Sequence, residues 1–339
     1  MTAGPPNLAL GVPAPSFLTV EQAHHGLRAD AFLALSLPSL SRTRIRQKIQ
    51  TGESLLNGRR YATSARLKTG DTLTVHWRSL PAVGSGRQFE ILYQDEHVIA
   101  LDKPAGAASH PAGRYQADTV IQFLRERFAA DLRASLSEAG DFFLSLVNRL
   151  DVFTSGVILA AKTVGALRAM LELAARGEIS KRYVALVEEV AAWDERRIDL
   201  PLGPDRASVT TIRVASREDG LASITDCRVL RRMKRHTLLA VFPRTGRQHQ
   251  VRAHLAAIGH PVWGDLLYKD ESRFLEYQRG ENDSPRAHPR AGGPSFPLRH
   301  CLHAEESRFV HPFTGADMVI RSPLPPDFLG ILQGLEGQA

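Results

Sequence analysis

Phe142–Lys162, FFLSLVNRLDVFTSGVILAAK, is the stretch around which this 339-residue chain is organised. It contains two apolar runs with a polar turn between them, and such runs bounded by turn residues read as buried strands. Asp151 falls in the turn, where a rigid scaffold presents reactive groups. Taken alone, it fits an ordinary turn aspartate bonding nearby backbone. Arg149, two residues earlier, is the kind of neighbour that keeps a carboxylate ionised when water is excluded.

C-terminal to this stretch, the spacing predicts an amphipathic helix over Thr163–Ala175. Val164, Leu167, Leu171 and Ala174 share one of its faces, and Gly177 ends it. KRYVALVEE (181–189), ITDCRVL (224–230) and TLLAVFP (237–243) read as strands. The last feeds RTGRQHQVRAHLAAIGHPVWGD (244–265), where Thr245 and Gln248 have capping-box spacing and Gly259 closes the helix. On the N-terminal side, FEILYQDEHVIALDKPAG (89–106) alternates as a hairpin does and stops at Lys103-Pro104. A helix is expected over Thr119–Phe128. Gln278–Pro297, rich in Pro, Gly and Arg, is expected to be a mobile insertion. Hairpins mixed with isolated helices indicate an α+β fold rather than alternating βαβ units.

The N-terminal part differs in charge. Arg28–Arg78 holds ten Lys or Arg against three acids, which accounts for the whole net charge of +7; the remaining 33 basic and 33 acidic residues balance. An excess confined to one small module suits a polyanion, nucleic acid first. Leu27–Leu40 spaces its apolar residues as a short helix. SRTRIRQKIQ (41–50) predicts a second, with Ser41 as N-cap, Ile45 and Ile49 on one face and Gly52 beyond its end. Asn57-Gly58 marks a tight turn, and DTLTVHW (71–77) a strand. The expected organisation is a flexible arm over 1–16, a basic module over 17–78, a linker over 79–88 and a larger domain over 89–330.

Composition narrows the class. Apolar residues make up 43% and charged residues 23%, an ordinary globular balance. No apolar run reaches the roughly 18 residues that a membrane span needs. The two cysteines, Cys227 and Cys301, form no CxxC pair, which fits a reducing cytoplasm. The 13 histidines show no clustered ligand set, and His249 and His254 are five apart, unlike an HExxH zinc site. A metal-dependent hydrolase is therefore disfavoured. Tyr183 in the KRYVALV strand and His110 in HPAG are further candidates, with amphipathic core and a hydrogen-bonded structural histidine as their plain alternatives. The HCLHA cluster (300–304) reads as structural. Nothing resembles a GxGxxG or a phosphate loop.

Two resemblances follow from these residues. Arg28 through SRTRIRQKIQTGESLLNGRR to KTGDTLTV resembles the alpha-L RNA-binding module of a small-subunit ribosomal protein and several RNA-modifying enzymes. It implies that Arg42, Arg44, Arg46 and Lys48 face RNA phosphates. ALDKPAGAASHPAG, VNRLDVFTSGVILAAKT, KRYVALV, PRTGRQHQVRAHLAAIGHPVWGDLLY and LHAEESRFVHPFTG, in that order, resemble the successive motifs of RluA-type pseudouridine synthases. That likeness implies the synthase fold, a mixed and largely antiparallel central sheet with flanking helices. It also implies isomerisation of uridine in structured RNA without a cofactor or metal. Asp151 would be the nucleophile, Tyr183 the active-site tyrosine, Arg247 the arginine paired with the aspartate, and Arg149 the arginine used in flipping the base. Family members with such an N-terminal module commonly modify large-subunit ribosomal RNA; a tRNA substrate and a non-catalytic assembly factor on the same fold are the alternatives. A monomer is expected. The chain departs from the family at Asn148, where His is usual, and at Val152 and Phe153, where charged residues are common.

Overall fold

The computed structural model describes residues 15–37, 42–76, 86–112, 115, 117–132, 142–279 and 299–336. The arm before residue 15, most of the 79–88 linker, Ser41 and nearly all of the 278–297 insertion therefore lie outside the described residues. The chain divides into two compact units, Met1–Gln88 with His110–Phe143, and Phe89–Ser109 with Leu144–Ala339. The stretch expected as one domain over 89–330 is thus shared between them.

In the first unit, β1 (Ser16–Thr19), β2 (Ser54–Leu56) and β3 (Thr72–Val75) form an antiparallel sheet with β3 in the middle. Helices α1 (Ala29–Ser36) and α2 (Arg42–Thr51) supply Phe32, Leu33, Ile45 and Ile49 to a core shared with Leu67, Leu73 and Val75. Asn57 and Gly58 both take positive φ, 49° and 75°, as the tight turn requires. α3 (Val120–Arg127) begins with a capping box: Thr119 Oγ1 accepts from the Gln122 amide, and Gln122 Oε1 accepts from the Thr119 amide.

The second unit is built on a ten-stranded sheet. Its strands are β4 (Glu90–Gln94), β5 (Val98–Lys103), β6 (Phe142–Leu146), β7 (Ser155–Thr163), β8 (Ser180–Glu188), β9 (Glu195–Asp199), β12 (Ile224–Arg232), β13 (His236–Pro243), β14 (Leu302–Val310) and β15 (Asp317–Arg321). The main path runs β4-β5-β7-β14-β8-β13-β12-β9, with β15 beside β14 and β6 beside β7. β10 (Leu202–Pro204) and β11 (Val214–Ser216) make a separate hairpin. Only β7 and β14 pair in parallel among the registered strands, through His303↔Ser155 and Ala304↔Gly156. Gly156 is what permits that join. Its φ is +111°, and a Cβ there would lie 2.1 Å from the Ala304 carbonyl oxygen. The sheet is mixed, mostly antiparallel and flanked by helices, as the α+β reading requires.

α4 (Val164–Ala175) corrects the amphipathic assignment. It buries Ala166, Met170 and Leu173 against β5 and β7 residues such as Val98, Ala100, Val157 and Leu159. Val164, Leu171 and Ala174 of the predicted face point outward instead. Both faces carry apolar side chains, and the alanine and methionine on the inner one give a weaker signal than the leucines outside. On the other side, α8 (Pro326–Glu336) packs Phe328, Leu332 and Leu335 on Val184, Leu186 and Leu238. No helix among the described residues is long and apolar enough to cross a membrane.

Candidate active site

Asp151 lies in the turn between β6 and β7, and four contacts fix that turn. Ser109 Oγ donates to the Leu150 carbonyl at 2.9 Å and accepts from the Leu150 amide at 3.2 Å. The Val152 carbonyl accepts from the Gly106 amide at 2.8 Å and from Lys103 Nζ at 3.0 Å. Lys103 is fully buried, and its ammonium also donates to the Ala107 and Pro104 carbonyls. A buried ammonium is tolerated only when such acceptors replace water. Asn148, one of the departures from the family pattern, accepts the Leu159 amide at 2.8 Å and so serves the backbone of β7. Phe153 places its ring 6.3 Å from that of His300 and 6.1 Å from that of Tyr277.

The cation that meets Asp151 is Arg252, not Arg247. Arg252 Nη1 donates to Asp151 Oδ2 at 2.8 Å, while Nε and Nη2 form a two-pronged contact with Asp265 at 2.6 and 2.8 Å. Arg247 is exposed, and its Nε donates to the Ala222 carbonyl. The reason lies in where the helix starts. α5 spans Gln250–Ala257, so Arg247 precedes it and Arg252 lies within it on a buried stretch. The expected Thr245–Gln248 box does not form. Thr245 Oγ1 donates instead to Gln250 Oε1, which also accepts the Arg247 amide. Between them, His249 takes a left-handed φ of 52°. α6 (Leu266–Lys269) and α7 (Glu271–Arg279) follow Asp265 directly.

Electrostatically, one guanidinium serves two carboxylates. Asp265 is 1% exposed and Asp151 keeps 27% of its side-chain surface open, so Asp151 is the member turned to incoming groups. Burial pushes the Asp151 carboxyl upward, but surrounding positive charge and the Arg252 hydrogen bond outweigh it and hold the carboxyl far below the usual carboxylate range. Of those charges only Arg252 persists at neutral pH. Burial keeps His249 below its ordinary value and drives His300 down to about 3, so both imidazoles are neutral. His300, expected to be purely structural, contacts Thr154 Oγ1 of the Asp151 turn at 2.8 Å.

Tyr183 is on β8, in register with Val241 of β13 and Ala304 of β14. It is 9% exposed. Burial first, and then the nearby Asp151 charge, raise its phenol well above the ordinary value. Sequence reasoning missed Asp265 and Tyr268. Tyr268 stacks under Arg252, whose guanidinium carbon is 5.1 Å from the ring centre. A signal for the buried arginine was present: VRAHLAA sets Arg252 among apolar neighbours, whereas Arg247 lies in the polar run TGRQ.

Of the basic residues predicted to face RNA, Arg149, Arg44 and Arg46 are exposed, and Arg46 lies 3.8 Å from Asp30. The Arg42 side chain lies outside the described residues. Lys48 is buried, and its ammonium donates to Glu53 at 3.0 Å and to the His76 carbonyl at 2.7 Å. It braces the first unit and does not present a charge to solvent.

Residues 97–257 match the model of the RNA pseudouridylate synthase family. The chain is 32% identical over 313 residues to ribosomal large subunit pseudouridine synthase D of Xanthomonas campestris pv. campestris, covering 91% of this chain and 89% of that one. It is 33% identical over 311 residues to the protein of the same name from Pseudomonas aeruginosa, covering 91% of each. Among solved structures, human RNA pseudouridylate synthase domain containing 4 shares the fold with a TM-score of 0.53 and 22% identity, over 73% of this chain and 93% of that one. The chain belongs to the RNA pseudouridylate synthase family, as a member of its RluA type.

Proposed function

We propose that this isomerase forms pseudouridine in large-subunit ribosomal RNA, with Asp151 as covalent catalyst. The observation that carries the proposal is the ionised Asp151 carboxylate, partly open and held by an arginine that Asp265 fixes from behind. The target nucleotide must leave its stack to reach such a group, at a cost of a few kcal/mol. The bond from N1 to C1′ then breaks and one from C5 to C1′ forms. C5 gives up its proton and N1 gains one, so the change is redox-neutral. Asp151 supplies the attacking carboxylate oxygen. Arg252 keeps it charged, and Tyr183 offers a ring on which the uracil stacks. The ribosomal target is supported by the names of the relatives at 32 and 33% identity.

Exposed Arg44 and Arg46 in the first unit, and Arg149 near the nucleophile, are proposed to meet phosphates, which position RNA without reading its sequence. The test is Asp151→Asn on ribosomal RNA from cells that lack this chain. The expected result is loss of pseudouridine formation with RNA binding retained. Conversion at the wild-type rate would refute the catalytic role, and pseudouridine mapped to tRNA alone would refute the target.

A further inference from the structure

We propose that His249 is a positioning residue for the same reaction, held by Tyr268 so that its Nε2–H engages the carboxylate oxygen of Asp151 that Arg252 leaves open. This rests on the reading of Asp151 as the covalent catalyst. His249 Nε2 lies 3.9 Å from Asp151 Oδ1, while Arg252 holds Oδ2. Closing to a hydrogen bond takes roughly 1 Å, the kind of tightening that catalytic contacts undergo when substrate binds.

The proton is on Nε2 for two independent reasons. On the far side of the ring, Nδ1 lies 3.3 Å from the Tyr268 hydroxyl, which already accepts the Val214 amide at 3.3 Å. With that contact made, the hydroxyl hydrogen is available to point at Nδ1 as its acceptor. The opposite tautomer would also aim the Nε2 lone pair at a carboxylate oxygen, a repulsive arrangement. Burial raises the Tyr268 phenol above its ordinary value, so it keeps the proton it donates. Arg252 and Arg213 flank the Tyr268 ring at 5.1 and 5.5 Å and fix its orientation.

The backbone points the same way. His249 is a non-glycine residue at φ 52°, and its side chain does not cap the helix it precedes. Such conformations persist where surrounding structure imposes them, and they gather at functional sites. With Oδ2 on Arg252 and one flank of Oδ1 on His249, the carboxylate cannot rotate, and its remaining lone pair faces the open side.

The test measures single-turnover rate at saturating enzyme, RNA dissociation constant and Tm for the full chain, on ribosomal RNA from cells lacking it. His249→Leu is expected to slow the chemical step about tenfold to a hundredfold, the scale set by misplacing a reacting group. His249→Gln, whose amide nitrogen can take the place of Nε2, should recover most of that rate, and Tyr268→Phe should fall between them. RNA affinity should be unchanged in all three. A wild-type rate for His249→Leu, or a glutamine variant no better than leucine, overturns the proposal. Should the leucine variant fail to fold, a wild-type rate for Tyr268→Phe does so. Asp151→Asn run alongside separates the cases: if it is inactive while His249→Leu is not slowed, only the His249 proposal falls. If Asp151→Asn is fully active, the reading of Asp151 falls and the His249 proposal with it.

Discussion

The two units use the same ionisable residues in opposite ways. On α2 of the first unit, Arg44 and Arg46 are exposed, and Arg46 meets Asp30 only at 3.8 Å. In the second unit, Arg252 is 6% exposed and makes three charge-assisted hydrogen bonds to two carboxylates. An exposed pair contributes about 0–1 kcal/mol and is screened by salt. A buried set is different: removing one partner strands the others without water, at about 3–5 kcal/mol. Surface charge remains accessible to a partner, whereas buried charge has a single geometry that the fold must maintain.

The largest expected effect comes from breaking the buried set at its centre. Arg252→Met leaves Asp265 ionised and dry, and leaves Asp151 without its cation. Unfolding in urea should show a loss of about 3–5 kcal/mol. Pseudouridine formation should fall by at least the hundredfold typical of losing an electrostatic partner at a reacting centre. A variant with wild-type stability would show that the set is not coupled as its distances imply.

Acid should expose the same coupling. The folded-state values of Asp151 and Asp265 are both depressed against burial, Asp265 chiefly by Arg252 and Asp151 by the charges of His249 and Arg252 together with the Arg252 hydrogen bond. Groups depressed on folding add stability above their unfolded value, about 4. That stability drains away as pH falls from there through the folded values. The two carboxylates should therefore add a decline below about pH 4, beyond the earlier loss that begins near pH 6.5 as histidines kept neutral by burial, His249 and His300 among them, become protonated in the unfolded chain. In Arg252→Met the guanidinium no longer offsets burial, so both carboxyls move up, with only histidine charge still lowering them. Their contribution shrinks, and the decline below about pH 4 should weaken in a urea series across pH. A decline as steep as in the unmutated protein would place the acid sensitivity elsewhere, for instance on the exposed ion pairs.

How much of this was legible beforehand depends on whether a property is carried by type and order or by packing. The Asp151 turn was readable because two apolar runs bracket it, and the helix over Thr119–Phe128 because its signals lie within one local stretch. The α+β class followed from hairpins without regular helical crossovers. The inward face of α4 was not readable, since Ala166 and Met170 compete with Leu167 and Leu171 and only the opposing strands decide between them. Lys48 looked like its arginine neighbours on α2. Its burial depends on Glu53 and the carbonyl of His76, 28 residues away. The choice between Arg247 and Arg252 turned on a helix start displaced by the left-handed His249.

A smaller effect separates the two units directly. Arg44→Glu with Arg46→Glu should leave Tm within a few degrees of wild type, because exposed positions away from caps and cores change stability by about 0.5 kcal/mol or less. RNA affinity should drop, and the slope of log affinity against log salt should become shallower by about 0.7–0.9 for each phosphate that the variant no longer neutralises. Lys48→Glu is the control within the same helix. It inverts a buried charge beside Glu53, so it should lower Tm clearly while changing the salt slope little in the fraction that remains folded. If Lys48→Glu altered the slope as the arginine variants do, its side chain would have to leave its pocket to reach RNA.

The smallest expected effect is at Arg247. Arg247→Ala removes one side-chain bond to the Ala222 carbonyl from an exposed position, so unfolding free energy should shift by no more than about 0.5 kcal/mol. Gln250 still caps the Arg247 backbone amide, because that bond does not use the arginine side chain. If Arg247 touches RNA at all, it does so as one surface cation. The loss should then appear in the dissociation constant and its salt dependence, with the single-turnover rate at saturating enzyme unchanged. Arg252→Met should show the reverse, a lost rate with little change in affinity. Two arginines five residues apart would then be separated by which kinetic constant each one moves. A rate loss at Arg247 comparable to that at Arg252 would mean that the helix start rearranges when RNA binds and brings Arg247 to the carboxylate.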